Sequence, residues 1–139
     1  MKFLALLLAL LVSAQAAPLH LSKKAVSAAV QQVVEAQLTA LRAQDYAAAY
    51  ALASVRLQRQ FTASLFARLI KRGYPALAHH ARSEAGFVYD DGQGRAEVII
   101  SVYDGQDRQS NYRYLMVKQS DQWRINGVLA EAPPKRGDT

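Results

Sequence analysis

Gln37 falls where its helix should be most apolar. In "AVSAAVQQVVEAQLTALRAQD", Ala25 to Asp45, a turn of about 100° per residue gathers Val26, Val30, Val33, Val34, Leu38 and Leu41 on one stripe. Gln37 projects near its middle, between Val33 and Leu41. A buried side-chain amide without partners costs about 1–3 kcal/mol, so either a protein group or a ligand must satisfy it.

The other residues capable of chemistry are spaced less favourably. Proton abstraction needs a base of tuned pKa and donors for the resulting oxyanion. The carboxylates instead sit in caps and turns. Asp45 reads as a helix N-cap, and Asp90, Asp91, Asp104, Asp107 and Asp121 read as turn residues. Glu35 points away from the apolar stripe, and Glu97 alternates against Val98. His79 and His80 are adjacent, so on an extended segment they point to opposite sides and do not chelate one ion together; they read as surface histidines. No residue is assigned a catalytic role, and no cofactor or metal is expected. "RGD" at Arg136 to Asp138 reads as a chance tripeptide. "DDGQG" lacks the spaced ligands and distal glutamate of a calcium loop, and a hairpin turn suffices to explain it.

Arg68, Lys71 and Arg72 are anion-contact candidates on one helix face, extended by Arg56 and Arg59. The plainer alternative is a solvated face, and ionic-strength dependence separates the two. Residues 46–83 carry six basic side chains and no acid, whereas residues 84–107 carry six acids against Arg95 alone. The chain's formal charge of +6 therefore divides between a basic helical part and an acidic hairpin part. That pattern argues against a uniform polyanion surface and against nucleic acid as a partner.

The 139-residue chain opens with Lys2, the apolar run Phe3 to Val12, and "SAQAAP", where Ala14 and Ala16 fit an A-x-A cleavage site. Residues 1–16 are accordingly expected to be a secretory signal peptide, and the protein to be exported to a bacterial periplasm or exterior. The run is short for a membrane span, which needs about 20 residues. The chain has no cysteine, which excludes disulfides and thiolate chemistry and leaves stability to an apolar core; 51% of its residues are hydrophobic.

The elements that must position these residues follow from period and punctuation. Ser22 is the expected N-cap of a first helix running to about Ala43, with Leu21 and Val26 as a staple. Asp45 opens a short second helix with Tyr46 and Tyr50 on one side. Thr62 opens a third, stapled by Phe61 and Phe66, with Leu65, Phe66, Leu69 and Ile70 on one face. Gly73 ends it and Pro75 blocks resumption. Beyond Pro75 the period falls from about 3.6 to 2, which predicts strands over Ala81–Tyr89, Arg95–Tyr103, Gln109–Gln119 and Trp123–Ala130. Three helices followed by an antiparallel meander make a single α+β domain over residues 17–132, with helices on one sheet face. Residues 133–139 read as a disordered tail. The middle strands are partly apolar on both faces, which predicts a homodimer through the outer sheet face; the alternative is a strongly curved sheet folding over itself.

The run "VVEAQLTALRAQDYAAAYALAS", then "FTASLFARLIKRGYPAL", closed by "QWRINGV", resembles the uncharacterised bacterial family known as domain of unknown function 4864, assigned to the nuclear-transport-factor-2-like superfamily. The resemblance covers about residues 26 to 129 and rests on Gln37, Asp45, Phe61, Phe66, Tyr74, Trp123, Arg124 and Gly127 in that order. It implies a cystatin-like cone, a curved antiparallel sheet around the long helix, often with a pocket in the open end and a dimer through the convex face. No activity follows, because relatives on this cone include isomerases, dehydratases, transport adaptors and noncatalytic domains.

Within such a cone Gln37 has two readings. In one, its amide meets Trp123 Nε1, a tyrosine hydroxyl or a strand carbonyl. In the other, it orients a small apolar ligand in a pocket lined by Tyr50, Tyr74, Tyr114 and Trp123. Three functions are thereby expected, in this order: an exported noncatalytic binding module, for a small apolar ligand or a protein; a small isomerase or lyase using the same pocket; and a protein that contacts anionic membrane surfaces.

Overall fold

The computed structural model describes residues 17–132. The signal-peptide expectation for residues 1–16 and the tail expectation for residues 133–139 lie outside the described residues. The chain runs β1 (His20–Leu21), α1 (Lys24–Arg42), α2 (Tyr46–Ala51), α3 (Val55–Gln60), α4 (Ala63–Gly73), α5 (Pro75–Ala78), β2 (Arg82–Asp90), β3 (Arg95–Tyr103), β4 (Gln109–Gln119) and β5 (Gln122–Glu131). This is an α+β domain with one five-stranded antiparallel sheet in the order β1-β2-β3-β4-β5.

Three helix expectations need correction. There are five helices among the described residues, not three. Ser54 caps the additional α3 by accepting a bond from Leu57 N, a short polar-led segment whose apolar spacing is too sparse to register as a helix. Pro75 does not prevent a new helix but begins one, at the first-turn position where its missing N–H has no partner to lose. Ser22 does not cap α1, whose N-cap is Lys23 without a side-chain bond. The Ser22 hydroxyl instead donates to Asp90 Oδ2, and Ser22 N donates to Val88 O, pinning the β1 segment to the sheet edge. Asp45 and Thr62 do cap their helices, accepting from Ala48 N and Leu65 N at 3.1 Å each.

The strands agree with the period-2 pattern to within one residue at each end, with the short pair β1–β2 added. Their hairpins carry the required turn residues. Gly92 and Gly94 adopt φ of +72° and +91° between β2 and β3, while Ser120 and Asp121, at +50° and +62°, make the two-residue turn between β4 and β5.

One sheet face rests on the helices. Val30, Val34, Leu38 and Leu41 of α1 share a core with Val98 and Ile100 of β3, Tyr112, Tyr114 and Met116 of β4, and Ile125 of β5. On the opposite face Arg113 lies between two acids, its Nη1 3.0 Å from Glu97 and its Nη2 2.7 Å from Glu131. Phe87, Tyr89 and Leu129 are exposed, Phe87 at 76%.

Candidate functional site

β5 is an edge strand, and the segment between α2 and α3 is stitched along it. Ile125 N donates to Leu52 O at 2.9 Å and Ile125 O accepts from Ser54 N at 2.8 Å. The buried Ser54 hydroxyl donates to Asn126 Oδ1 at 2.7 Å, and Arg56 Nη2 donates to Asn126 O at the same distance. These bonds hold α3 against the strand. At the far end of α4 the Tyr74 hydroxyl donates to Val128 O at 2.7 Å.

Between these ties α3, α4 and β5 enclose a cleft of about 430 Å³. Leu57 and Phe61 line it from the α3 side, Phe66, Leu69 and Ile70 from α4, and Ile125, Val128 and Leu129 from β5. Its polar lining consists of Gln37, Arg56, Gln60, Tyr74 and Asn126, with no carboxylate or imidazole among the described residues. Arg56 is engaged by Asn126 and Gln60, and the Tyr74 hydroxyl by Val128.

Gln37 is different. It is 2% exposed, and its Oε1 accepts a 2.8 Å hydrogen bond from the hydroxyl of Tyr114, which is fully enclosed. Burial pushes the Tyr114 phenol far above its ordinary range, so this hydroxyl stays protonated and remains a donor. Gln37 Nε2 has no hydrogen bond among the described residues. No side-chain nitrogen or oxygen there is both sealed from solvent and unpaired, so this NH₂ is not shut off from solvent, and Gln37 is among the residues that line the cleft.

The sequence candidates are thus distributed. Gln37 and Tyr74 line the cleft, and Tyr114 stands behind Gln37 as its partner. Tyr50 lies outside the lining; its hydroxyl donates to Phe61 O at 2.6 Å and its ring packs 5.5 Å from that of Phe66, so it supports two cleft residues from behind. Trp123 is outside the cleft lining and borders a separate hollow with Ala29, Val33 and Leu52. Arg68, Lys71 and Arg72 are exposed on α4, with Lys71 Nζ 4.8 Å above the Tyr46 ring. The cleft residues Leu57 and Leu129 escaped sequence reasoning, because their meeting depends on α3, whose helix was not legible.

His80 is buried, contrary to the surface expectation. Its Nδ1 donates to Leu77 O at 2.7 Å and its Nε2 accepts from Arg42 Nη1 at 2.8 Å, an arrangement that suits the neutral ring. Burial lowers its pKa below the ordinary 6.5, and Arg42 adds to this, while the Leu77 carbonyl and Glu35 oppose it. His80 is outside the cleft lining. His79, by contrast, is exposed.

Residues 23–137 match the profile of a family described as Domain of unknown function (DUF4864). No curated protein matches the chain.

Proposed function

We propose that this chain, which belongs to the Domain of unknown function (DUF4864) family, is a noncatalytic binding module that takes a small apolar ligand in the cleft between α3, α4 and β5. The observation that carries the reading is the Gln37 NH₂, left without a protein acceptor in a largely apolar wall whose other polar groups Arg56 and Tyr74 are already engaged. A buried polar group commonly has its hydrogen bond, so a ligand carbonyl, ether or hydroxyl is the natural acceptor. The lining offers a place to bind and a donor to orient what binds, but no evident base. This favours binding over the isomerase or lyase alternative.

The same reading takes the protein to be exported after removal of residues 1–16, and its sheet to curl around α1 as in the nuclear-transport-factor-2-like cone. Register shifts at Ala85/Val88 and Leu115/Met116 support such curvature, because bulges bend a strand. It also takes the outer sheet face, with Phe87 and Tyr89 exposed and Arg113 paired to Glu97 and Glu131, as the surface of a homodimer.

Fluorescence titration with the neutral apolar dye Nile red tests the cleft. Wild type should bind the dye saturably, and a folded Leu57→Trp variant, which fills the cleft, should not. Equal binding by both, or none by wild type, would overturn the reading.

A further inference from the structure

The cleft of the preceding reading is lined from α4 by Phe66, Leu69 and Ile70, and the same helix carries basic side chains outside that lining. Leu69 lines the cleft while remaining 40% exposed at its rim. On α4 the positions one turn to either side of it are Leu65, also exposed, and Arg72, and Arg68 stands between them. Leu65, Arg68, Leu69 and Arg72 thus follow the i, i+3, i+4, i+7 spacing of one helix face and form a mixed apolar and basic stripe that meets the cleft at Leu69. Arg68 and Arg72 make no ion pair among the described residues. Residues 46–83 contain no acid to neutralise them, and Glu131 of β5 is already held by Arg113.

A largely apolar lining, a donor at Gln37 and unpaired guanidinium groups on the stripe that meets the cleft at Leu69 describe the complement of one kind of molecule. We propose that the ligand is a single-chain anionic amphiphile of the fatty-acid type, its chain along the cleft and its carboxylate at Arg68 and Arg72. The inference rests on the reading of the cleft as a ligand site. It adds the charge and the orientation: the Gln37 NH₂ meets a hydroxyl or carbonyl along the chain, and the guanidinium groups meet the head. Arginine suits this task because its planar fork can hold both carboxylate oxygens.

Ricinoleate and methyl ricinoleate separate the two claims, since both carry the mid-chain hydroxyl and only the first carries a charge. Binding is read by displacement of Nile red and by native mass spectrometry, for wild type and for the Arg68→Glu/Arg72→Glu variant. Wild type should bind ricinoleate about tenfold more tightly than the ester at low salt, with the preference shrinking as salt rises and disappearing in the double variant. Equal affinity for acid and ester would overturn the charge assignment while leaving the cleft reading intact. Binding of neither would overturn both. Sedimentation with phosphatidylglycerol vesicles that is undiminished in Leu57→Trp, without uptake of free ricinoleate, would also overturn the proposal, because the basic stripe would then serve a membrane contact.

Discussion

The Tyr114 hydroxyl donates to Gln37 Oε1 across 2.8 Å, linking the fourth strand of the sheet to the long helix at the floor of the cleft. The bond satisfies the oxygen of a buried amide and leaves its NH₂ without a protein partner among the described residues. Removing either partner should cost about 1–3 kcal/mol, because each leaves a buried polar group unpaired. Urea denaturation of Gln37→Leu, Tyr114→Phe and the double variant should show the double to be less destabilised than the sum of the singles. Strict additivity would mean that the two side chains are not coupled.

Ser54 joins two functions in one hydroxyl, capping α3 and bonding Asn126, while its backbone N–H ties the segment to β5. Ser54→Ala should destabilise the fold by about 1–2 kcal/mol in denaturant titration and should weaken dye binding, since α3 forms one bank of the cleft. Unchanged stability would deny the cap its role.

His80 gives stability a pH dependence. Its folded pKa lies below the 6.5 of an unstructured histidine, so the unfolded chain takes up the proton first as pH falls. The contribution of His80 is therefore neutral above about pH 6.5 and becomes destabilising below it, down to the folded pKa. The melting temperature should fall between about pH 7.5 and pH 5.5 by more in wild type than in His80→Gln. Equal slopes would place the titration elsewhere.

Much of this was legible in the sequence. The alternation in "RAEVIISVY" gives the third strand and its buried Ala96, Val98, Ile100 and Val102. The stripe from Val30 to Leu41 gives the long helix and its odd amide, and the tyrosine-hydroxyl partner was among those that the sequence suggested. What was not legible depended on contacts between segments distant in the chain. Ser22 has the residue type of an N-cap but finds Asp90, sixty-eight positions away, and the two-residue β1 is too short for any pattern. Trp123 was placed with Gln37 because both were expected to face inward, yet the sheet spreads its interior side chains over more than one hollow.

The outer sheet face offers a separate test. Phe87, 76% exposed, lies at the bulged part of β2, where a glutamate should be tolerated by the monomer. Light scattering after size exclusion should give a dimer for wild type and a monomer for Phe87→Glu with an unchanged melting temperature. A wild-type monomer would remove the proposed interface.

The central claim, that the cleft above Gln37 holds a small molecule, is tested most directly by native mass spectrometry of the protein purified gently from cells expressing the full chain. Wild type should carry a reproducible added mass of a small organic compound, which a folded Leu57→Trp variant should lack. Wild type without added mass, and unable to take up ricinoleate or its ester when these are supplied, would contradict the account.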